Sequence, residues 1–465
     1  MLFSSLTFLY YFLPLTAGLY FLAPGRMKNM VLLLASLFFY GWGEPRYVLL
    51  MGLSIVSGYG FGLLVDRYRG KWPGRIFCIL SVMVSLSFLL YFKYANFFLE
   101  SIQAITGQVL PILRISLPIG ISFYTFQMIS YTIDVYRGER AQRNLIDLAA
   151  YIAMFPQLAA GPIVTYSQIA GQLRNRTHTW DQAAQGIRRF VVGLSKKVLL
   201  ANQLGELCAA FRASEEKSVL FYWLYAIGFM LQIYFDFSGY SDMAVGLGNV
   251  FGLRFPENFN YPYISSSMTE FWRRWHMTLG GWFRDYVYIP LGGNRVGKGR
   301  QLMNILTVWV LTGLWHGAAW NFALWGLMFA ILLILEKLWL LRMLNMCKGL
   351  SHLYVNFFVL LGFVLFDAES LPQAFANLGG LFGLGGAPLV SAESVYCFRS
   401  FAVILLAGMI GSTPALRWLL GRIVKSPYGS RLCDLAEPVV LVALLLIVTA
   451  YLVDGSFNPF LYFRF

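Results

Sequence analysis

The sequence predicts an all-α polytopic membrane protein, both from its composition and from its repeated apolar runs. Hydrophobic residues make up 58% of the 465 positions and charged residues only 12%, whereas soluble domains carry about 25% charged residues. Apolar runs close to the ~20 residues that cross a bilayer recur along the chain without a long polar interruption. We therefore expect one integral membrane domain over residues 1–465 and no sizeable soluble module.

The spanning helices are expected to begin with the N-terminal run. This run has no basic residue before Arg26 and therefore lacks the positive region of a secretory signal. Connections rich in Arg and Lys alternate with poor ones, which places the rich ones in the cytoplasm and the N-terminus outside. We expect a bundle of about eleven spanning helices, drawn from the first helix and the later runs. These runs lie at 29–42, 47–65, 76–92, 115–133, 146–163, 218–235, 303–320, 322–341, 353–366, 399–413 and 438–453.

Residues 185–212 depart from this pattern. Arg188, Arg189, Lys196 and Lys197 recur there between apolar residues at helical spacing. Such a pattern is typical of a helix that lies at the membrane interface or is packed under the bundle. We therefore expect interfacial or re-entrant helices in addition to the spanning ones.

The formal net charge of +14 raises the question of a nucleic-acid partner. The basic residues lie in short loops between apolar runs, where cytoplasmic retention and contact with anionic lipid headgroups account for them. No basic stripe with interleaved aromatic residues occurs outside the membrane-flanking segments. We therefore expect membrane lipid, and no nucleic acid, among the partners.

The cysteines predict neither a disulfide framework nor a zinc site, since they are scattered and form no C-x-x-C pair. We interpret most of them as small apolar side chains that fill space between helices. We also expect no permanently bound cofactor. They are Cys78, Cys208, Cys347, Cys397 and Cys433.

Two aspartates, Asp236 and Asp242, stand near the end of an apolar run. We interpret them as structural, either as helix caps or as ion-pair partners of buried basic groups. The glycines that follow come near a dinucleotide-binding fingerprint. The last of them falls one residue late and no strand precedes them, so they indicate only close packing.

The segment from Phe271 to Tyr286 cannot cross a bilayer as an ordinary helix, because charged residues interrupt it. In a helix, His276 would lie one turn from Trp272 and Arg273. Gly280 and the glycine after it then weaken the helix. Irregular backbone at membrane depth is tolerated where protein or a water-filled cavity satisfies it, so we expect His276 to line a cavity. The alternative is an interfacial helix whose tryptophans form an aromatic belt.

A second histidine, His316, lies deep in the next apolar run, on a helix face shared with Thr312 and Gly313. Gly313 and Gly317 form a small-x-x-x-small pair, which indicates close helix packing or space for a ligand beside the ring. Because burial disfavours the charged imidazole, we expect a neutral His316 that can accept a proton. This is the state that a general base requires.

Four motifs together carry a family resemblance: DFSGYSDMA, NFNYPY, FWRRWHMTLGGWFRDYVYIPLGG and GLWHGAAWNF. They resemble the membrane-bound O-acyltransferase superfamily, in particular its bacterial branch typified by the membrane subunit of alginate O-acetyltransferase. The resemblance is strongest over residues 234–325. Related members acetylate peptidoglycan or cellulose, or take part in D-alanylation of teichoic acids.

The resemblance implies a multi-pass protein of the bacterial inner membrane with helices around a central tunnel, in which a cytoplasmic donor meets an extracytoplasmic acceptor. His316 matches the family's catalytic histidine, and His276 matches a second histidine that faces the tunnel. The implied donor is acetyl-CoA and the acceptor an exported polysaccharide. Periplasmic acetyltransferase subunits and the polymer synthase machinery are the implied protein partners.

Acetyl transfer from a thioester requires a base and a donor to the oxyanion. We assign the base to His316, and the oxyanion donor to His276 or a nearby tryptophan N–H. Other residues expected along the donor and acceptor tunnel are Trp272, Arg273, Thr312, Gly313, Trp315 and Asn321. Four basic residues are expected to contact the donor phosphates: Arg274, Arg295, Lys298 and Arg300. Retention of cytoplasmic loops explains these positive charges equally well.

Three alternatives remain at this point. The chain could be a transporter without chemistry or an assembly platform that recruits a periplasmic enzyme. It could also bind a metal ion through its two histidines, although no further ligand is well placed to complete such a site. Alginate, cellulose and peptidoglycan are all candidate acceptors. His316 acts either as a base or as a covalent acetyl carrier.

Overall fold

The computed structural model describes residues 1–113, 115–455 and 461, and within these ranges every regular element is a helix. This confirms the predicted all-α class. Contacts group the chain into two compact units, one formed by Met1–Phe190 with Met243–Pro256 and the other by Val191–Asp242 with Glu257–Phe465. One membrane domain over residues 1–465 stays a prediction.

The first unit contains ten α-helices within the described residues, of which the last also contributes residues to the second unit. They are α1 (Leu13–Leu22), α2 (Lys28–Gly43), α3 (Val48–Arg67), α4 (Trp72–Leu89), α5 (Ala95–Thr106), α6 (Ile121–Arg137), α7 (Leu145–Ala153), α8 (Phe155–Leu158), α9 (Tyr166–Arg174) and α10 (Trp180–Ser195).

Close packing in the first unit depends on small residues. A Cβ atom added at Gly58 of α3 would overlap the side chain of Met128 on α6, and one at Gly62 would overlap Tyr131. Because lipid tails are as apolar as side chains, association of membrane helices depends on such close contacts. The two glycines therefore allow α3 and α6 to pack together.

The apolar run at 146–163 does not form the spanning helix that its length predicts. It forms α7 and the single turn α8, which Met154 separates. Pro156 lacks an amide hydrogen and cannot continue the hydrogen bonding of α7. The run is nevertheless deeply buried.

The second unit contains the remaining α-helices of the described chain, and α12 contributes residues to both units. They are α11 (Asn202–Ala213), α12 (Val219–Val250), α13 (Met268–Arg274), α14 (Met277–Phe283), α15 (Lys298–His316), α16 (Trp320–Leu335), α17 (Leu341–Leu344), α18 (Lys348–Asp367), α19 (Leu371–Leu381), α20 (Ala392–Gly411), α21 (Ala415–Ile423) and α22 (Pro427–Val453).

Helices α15 and α16 form a tightly packed hairpin. A Cβ atom at Gly313 would overlap the carbonyl oxygen of Phe322, and one at Gly326 would overlap the carbonyl oxygen of Trp309. The ring of Phe322 occupies the space beside Gly317. Gly313 and Gly317 therefore serve helix packing and leave no room there for a ligand.

Two ion pairs join α12 to the π-helical turn Lys196–Ala201. Lys197 Nζ lies 2.6 Å from Asp236 Oδ1, and neither side chain is more than 4% exposed. Lys196 Nζ lies 2.7 Å from Asp242 Oδ2 in a partly exposed position. Asp236 Oδ2 also accepts the amide hydrogen of Leu461. Both aspartates thus act as structural partners of lysines.

Seven helices within the described residues are long and apolar enough to cross a membrane. This establishes a multi-pass membrane protein, whereas the count of about eleven spanning helices stays a prediction. The seven are Pro45–Arg67, Trp72–Thr106, Val219–Val250, Trp320–Leu344, Lys348–Asp367, Ala392–Gly411 and Pro427–Val453.

We expect Lys197→Met to lower the free energy of unfolding by about 3–5 kcal/mol, because it leaves the buried Asp236 carboxylate without its cation. The double variant Lys197→Met/Asp236→Leu should recover most of this loss. The matched variant Lys196→Met breaks the partly exposed pair and should cost about 1 kcal/mol or less. Denaturant unfolding of the purified protein in detergent measures all three, and equal losses in the single and double variants would contradict the assignment.

Candidate active site

The second unit contains a cavity of about 730 Å³, lined by residues of α13, α14 and α15 and by the end of α16 with the turn that follows it. On α15, the lining residues Ile305, Val308, Thr312 and His316 recur at helical spacing. The cavity therefore follows one face of α15 towards its C-terminal end.

Two histidines lie together at one end of this cavity, which we call the histidine end. His276 and His316 both line the cavity, and their ring centroids lie 6.5 Å apart. Both side chains are buried. His316 is the last residue of α15, whereas His276 lies between α13 and α14. Tertiary structure thus brings together two histidines that are forty residues apart in the sequence.

The backbone at His276 adopts the left-handed conformation, with φ of +43°. For a residue other than glycine this conformation costs about 1–2 kcal/mol. This conformation interrupts the helical backbone between α13 and α14, and the imidazole lines the cavity. Such strain persists only where surrounding interactions hold it.

Asn258 supplies those interactions. Its main-chain oxygen accepts the amide hydrogen of Met277. Its Oδ1 atom accepts the amide and hydroxyl hydrogens of Thr278, at 3.2 and 2.8 Å. The same oxygen lies 3.1 Å from His276 Nδ1, so Nδ1 carries a hydrogen and Nε2 bears the lone pair. Asn258 therefore determines both the orientation of His276 and its tautomer.

The surroundings of His276 oppose its protonation. Burial lowers its pKa well below the ordinary value for histidine, and the neighbouring His316 lowers it further. The ring of Phe237 packs edge-on against the imidazole, with centroids 4.7 Å apart. His276 is therefore neutral at physiological pH.

Aromatic rings surround His316. The centroids of Trp315, Trp325 and Phe366 lie 5.0, 5.2 and 5.3 Å from that of its imidazole. This arrangement keeps bulk water away from the ring and limits the directions from which a substrate can approach. Thr312, one turn earlier, donates its hydroxyl hydrogen to the carbonyl oxygen of Val308 at 2.8 Å.

Trp272 and Trp309 also line the cavity. The ring of Trp272 lies 4.5 Å from that of Trp309 and 4.8 Å from that of Phe329. Trp272 Nε1 is buried and has no hydrogen-bond acceptor within the described part of the chain. It is a candidate donor to a carbonyl oxygen placed in the cavity.

Three cationic side chains line the same cavity: Arg273, Arg284 and Lys337. Arg284 pairs with Asp285. Gly326 packs against Gly313 in the α15–α16 hairpin. At roughly 1.5 Å per residue, this register puts Lys337 about 20 Å from His316 along the helix axes. The cavity therefore connects the buried histidines with a distant cation.

A buried carboxylate anchors this distant region. Glu336 accepts the amide and hydroxyl hydrogens of Thr269, at 3.0 and 2.7 Å, and the amide hydrogen of Met268. It thereby caps the first turn of α13, where a negative charge is favoured. Glu336 thus fixes the start of the helix that carries Trp272 and Arg273.

The structure places the sequence-predicted residues in different environments. His276, His316, Trp272, Arg273 and Thr312 line the cavity. Trp315 contacts both histidine rings, Gly313 packs against α16, and Asn321 donates to the carbonyl oxygen of Ala368. Arg274 pairs with Glu270. Three further cations are exposed and outside the cavity lining, namely Arg295, Lys298 and Arg300.

Sequence reasoning missed Asn258, Glu336 and Lys337. Asn258 lies within the motif NFNYPY, but its polarity alone does not distinguish it from Asn260. Glu336 and Lys337 follow an apolar run, where charges ordinarily mark a helix end. Among the described residues, no group of three or more His, Cys, Asp or Glu side chains could hold a metal ion.

Comparison with known proteins identifies the family. The pattern of the MBOAT, membrane-bound O-acyltransferase family, matches residues 75–367, which include both histidines and Asn258. The chain is 39% identical to the probable alginate O-acetylase of Azotobacter vinelandii over 499 aligned positions that cover 100% of both chains. It is 43% identical to that of Pseudomonas aeruginosa, over 83% of this chain and 75% of the relative.

A more distant relative has another named acceptor. The peptidoglycan O-acetyltransferase of Helicobacter pylori is 32% identical, over 100% of this chain and 98% of the relative. The resemblance drawn from the four motifs is thus confirmed over the whole chain. The protein belongs to the membrane-bound O-acyltransferase family and is a multi-pass membrane O-acyltransferase.

Proposed function

We propose that the protein transfers acetyl groups from cytoplasmic acetyl-CoA to an exported polysaccharide, within the bacterial inner membrane. The observation that carries this proposal is the cavity that connects His276 and His316 with cationic residues. The names of the relatives support a polysaccharide acceptor. They favour alginate or a related polymer, and acetylation of cellulose stays a prediction.

The distribution of charge supports entry of the acceptor from the extracytoplasmic side. In the second unit, acidic residues predominate around the start of α12 and the C-terminal end of α18, at Glu215, Glu216, Glu369 and Glu393. Basic residues predominate around the opposite helix ends, which the positive-inside rule assigns to the cytoplasm. These are Lys298, Arg300, Lys337, Arg342, Lys348, Arg417, Arg422 and Lys425.

In the proposed reaction, His316 accepts the proton of the acceptor hydroxyl as its oxygen attacks the thioester carbonyl carbon. The carbon–sulfur bond then breaks, and the imidazolium returns the proton to the departing thiolate. Arg273 and Lys337 would attract the donor phosphates, since both line the cavity.

In this proposal His276 orients the acceptor. Because Asn258 accepts its Nδ1 hydrogen, Nε2 can accept a hydrogen bond from a neighbouring hydroxyl of the acceptor sugar, which orients the attacking hydroxyl towards His316. The oxyanion donor is then a tryptophan, and Trp272 Nε1 lines the cavity with its hydrogen available. Periplasmic acetyltransferase subunits and the polymer synthase are the proposed protein partners.

We expect His316→Ala to lower acetyl transfer at least about 100-fold, because the acceptor hydroxyl loses its base. Membranes that contain the variant, incubated with radiolabelled acetyl-CoA and polymer, measure the loss. His352→Ala is the matched control, since His352 is exposed and outside the cavity lining. Unchanged transfer by a folded His316→Ala protein would exclude His316 as the base.

We expect Asn258→Asp to move the acid limb of the pH–rate profile to higher pH. A carboxylate beside Nδ1 favours the imidazolium and raises the pKa of His276, which burial holds low in the natural protein. The neutral form is then lost at a higher pH as the pH falls. An acid limb that stays in place while the protein remains folded would exclude a role for neutral His276.

We expect Lys337→Gln to raise the KM for acetyl-CoA several-fold with little change in kcat, because Lys337 contacts donor phosphates remote from the reacting atoms. Arg300→Gln is the matched comparison. The sequence also predicts Arg300 as a contact of the donor phosphates, but Arg300 lies outside the cavity lining. Equal rises in KM for both variants would show that general surface charge, not the cavity, attracts the donor.

A further inference from the structure

We propose that the first unit binds the phosphate of an anionic phospholipid headgroup at a cluster formed by Lys28, Arg176 and His178, which we call the basic cluster. The proposal concerns residues outside the cavity and is independent of the acetyl-transfer chemistry. Within the basic cluster His178 acts as a positioning residue, because its Nε2 hydrogen is donated to Tyr20.

The basic cluster is organised around the hydroxyl of Tyr20. This hydroxyl donates to the carbonyl oxygen of Phe251 at 2.7 Å. Its oxygen therefore accepts from Arg176 Nη1 at 3.2 Å and from His178 Nε2 at 2.9 Å. Lys28 Nζ lies 4.9 Å from the centroid of the same ring. Three basic side chains thus converge on one buried tyrosine.

The arrangement is preorganised by contacts that do not depend on a ligand. The second terminal nitrogen of Arg176 donates to Asn29 Oδ1. A Cβ atom added at Gly252 would lie 2.9 Å from His178 Nε2. The segment that carries Arg176 and His178 therefore packs closely against Gly252. A guanidinium held in this way loses little conformational entropy when it binds an anion.

No carboxylate neutralises the basic cluster directly. Within residues 1–113 and 115–455, neither Lys28 nor Arg176 has an ion-pair partner. Asp147 reaches the cluster only through the side chain of Asn29, whose Nδ2 donates to it at 2.7 Å. The uncompensated positive charge favours an anionic ligand, and Arg and Lys are the residues that bind phosphate oxygens.

The position of the basic cluster favours a lipid as the source of that phosphate. Lys28 begins α2 directly after the turn that follows the apolar α1. The side chains of Leu22 and Trp180, close in sequence to Lys28 and His178, are 86% and 92% exposed. Exposed tryptophan and leucine beside cations are typical of the boundary between acyl chains and headgroups. Anionic lipids of the cytoplasmic leaflet attract such basic sites.

A thermal-unfolding experiment on the purified full-length protein tests the proposal. We expect phosphatidylglycerol to raise the unfolding temperature of the natural protein by several degrees more than phosphatidylcholine does. Lys28→Gln should lose at least half of this difference. Within the described part of the chain this charge makes only ring contacts, so the variant is expected to fold. Arg26→Gln removes an exposed charge from the turn that precedes Lys28 and should retain the difference.

Arg176→Lys provides the second variant, since it keeps the charge and loses the fixed geometry of the guanidinium. We expect it to weaken the response to phosphatidylglycerol, and native mass spectrometry should show fewer retained lipid molecules. Equal responses of all variants and the natural protein would overturn the proposal in favour of general surface charge. Stabilisation by inorganic phosphate without lipid, abolished by Lys28→Gln, would assign the site to a free phosphate ester and overturn the lipid assignment.

Discussion

The geometry of the candidate site depends on the hydrogen bonds of Asn258. A chain that breaks its helix inside a membrane protein has to satisfy the exposed polar groups from within. Asn258 does this for Met277, Thr278 and His276 through its main-chain and side-chain oxygens. It thereby holds His276 in a conformation that costs energy, and it also selects the nitrogen that can accept a hydrogen. The strain, the tautomer and the position of the imidazole have one common cause.

The second constraint is the close approach of α15 and α16. Gly313 and Gly326 remove the side chains that would separate the two backbones. This packing puts His316 at the end of α15, next to Trp325 and Phe366, while Glu336 and Lys337 lie at the far end of the neighbouring helix. One hairpin therefore positions both the proposed base and the proposed donor contacts, and the buried Glu336 connects the hairpin to α13.

Sequence reasoning identified the helical class, the two histidines, and Trp272 and Arg273 as part of the site. These residues could be found from the sequence because an ionisable or polar side chain in an apolar run usually has a functional role. Arg295, Lys298 and Arg300 were expected to contact the donor phosphates, but the structure leaves them exposed and outside the cavity lining. Lys337 was missed because a lysine after an apolar run is the ordinary mark of a helix end.

Composition and the spacing of apolar runs determined that the chain is an all-α multi-pass membrane protein, since every span has to satisfy its own backbone. The motifs singled out the two histidines that line the cavity. Only the tertiary structure decided that these rings lie 6.5 Å apart, that Asn258 holds one of them, and that Lys337 lines the same cavity. The register between helices far apart in sequence depends on side-chain packing, which no local pattern encodes.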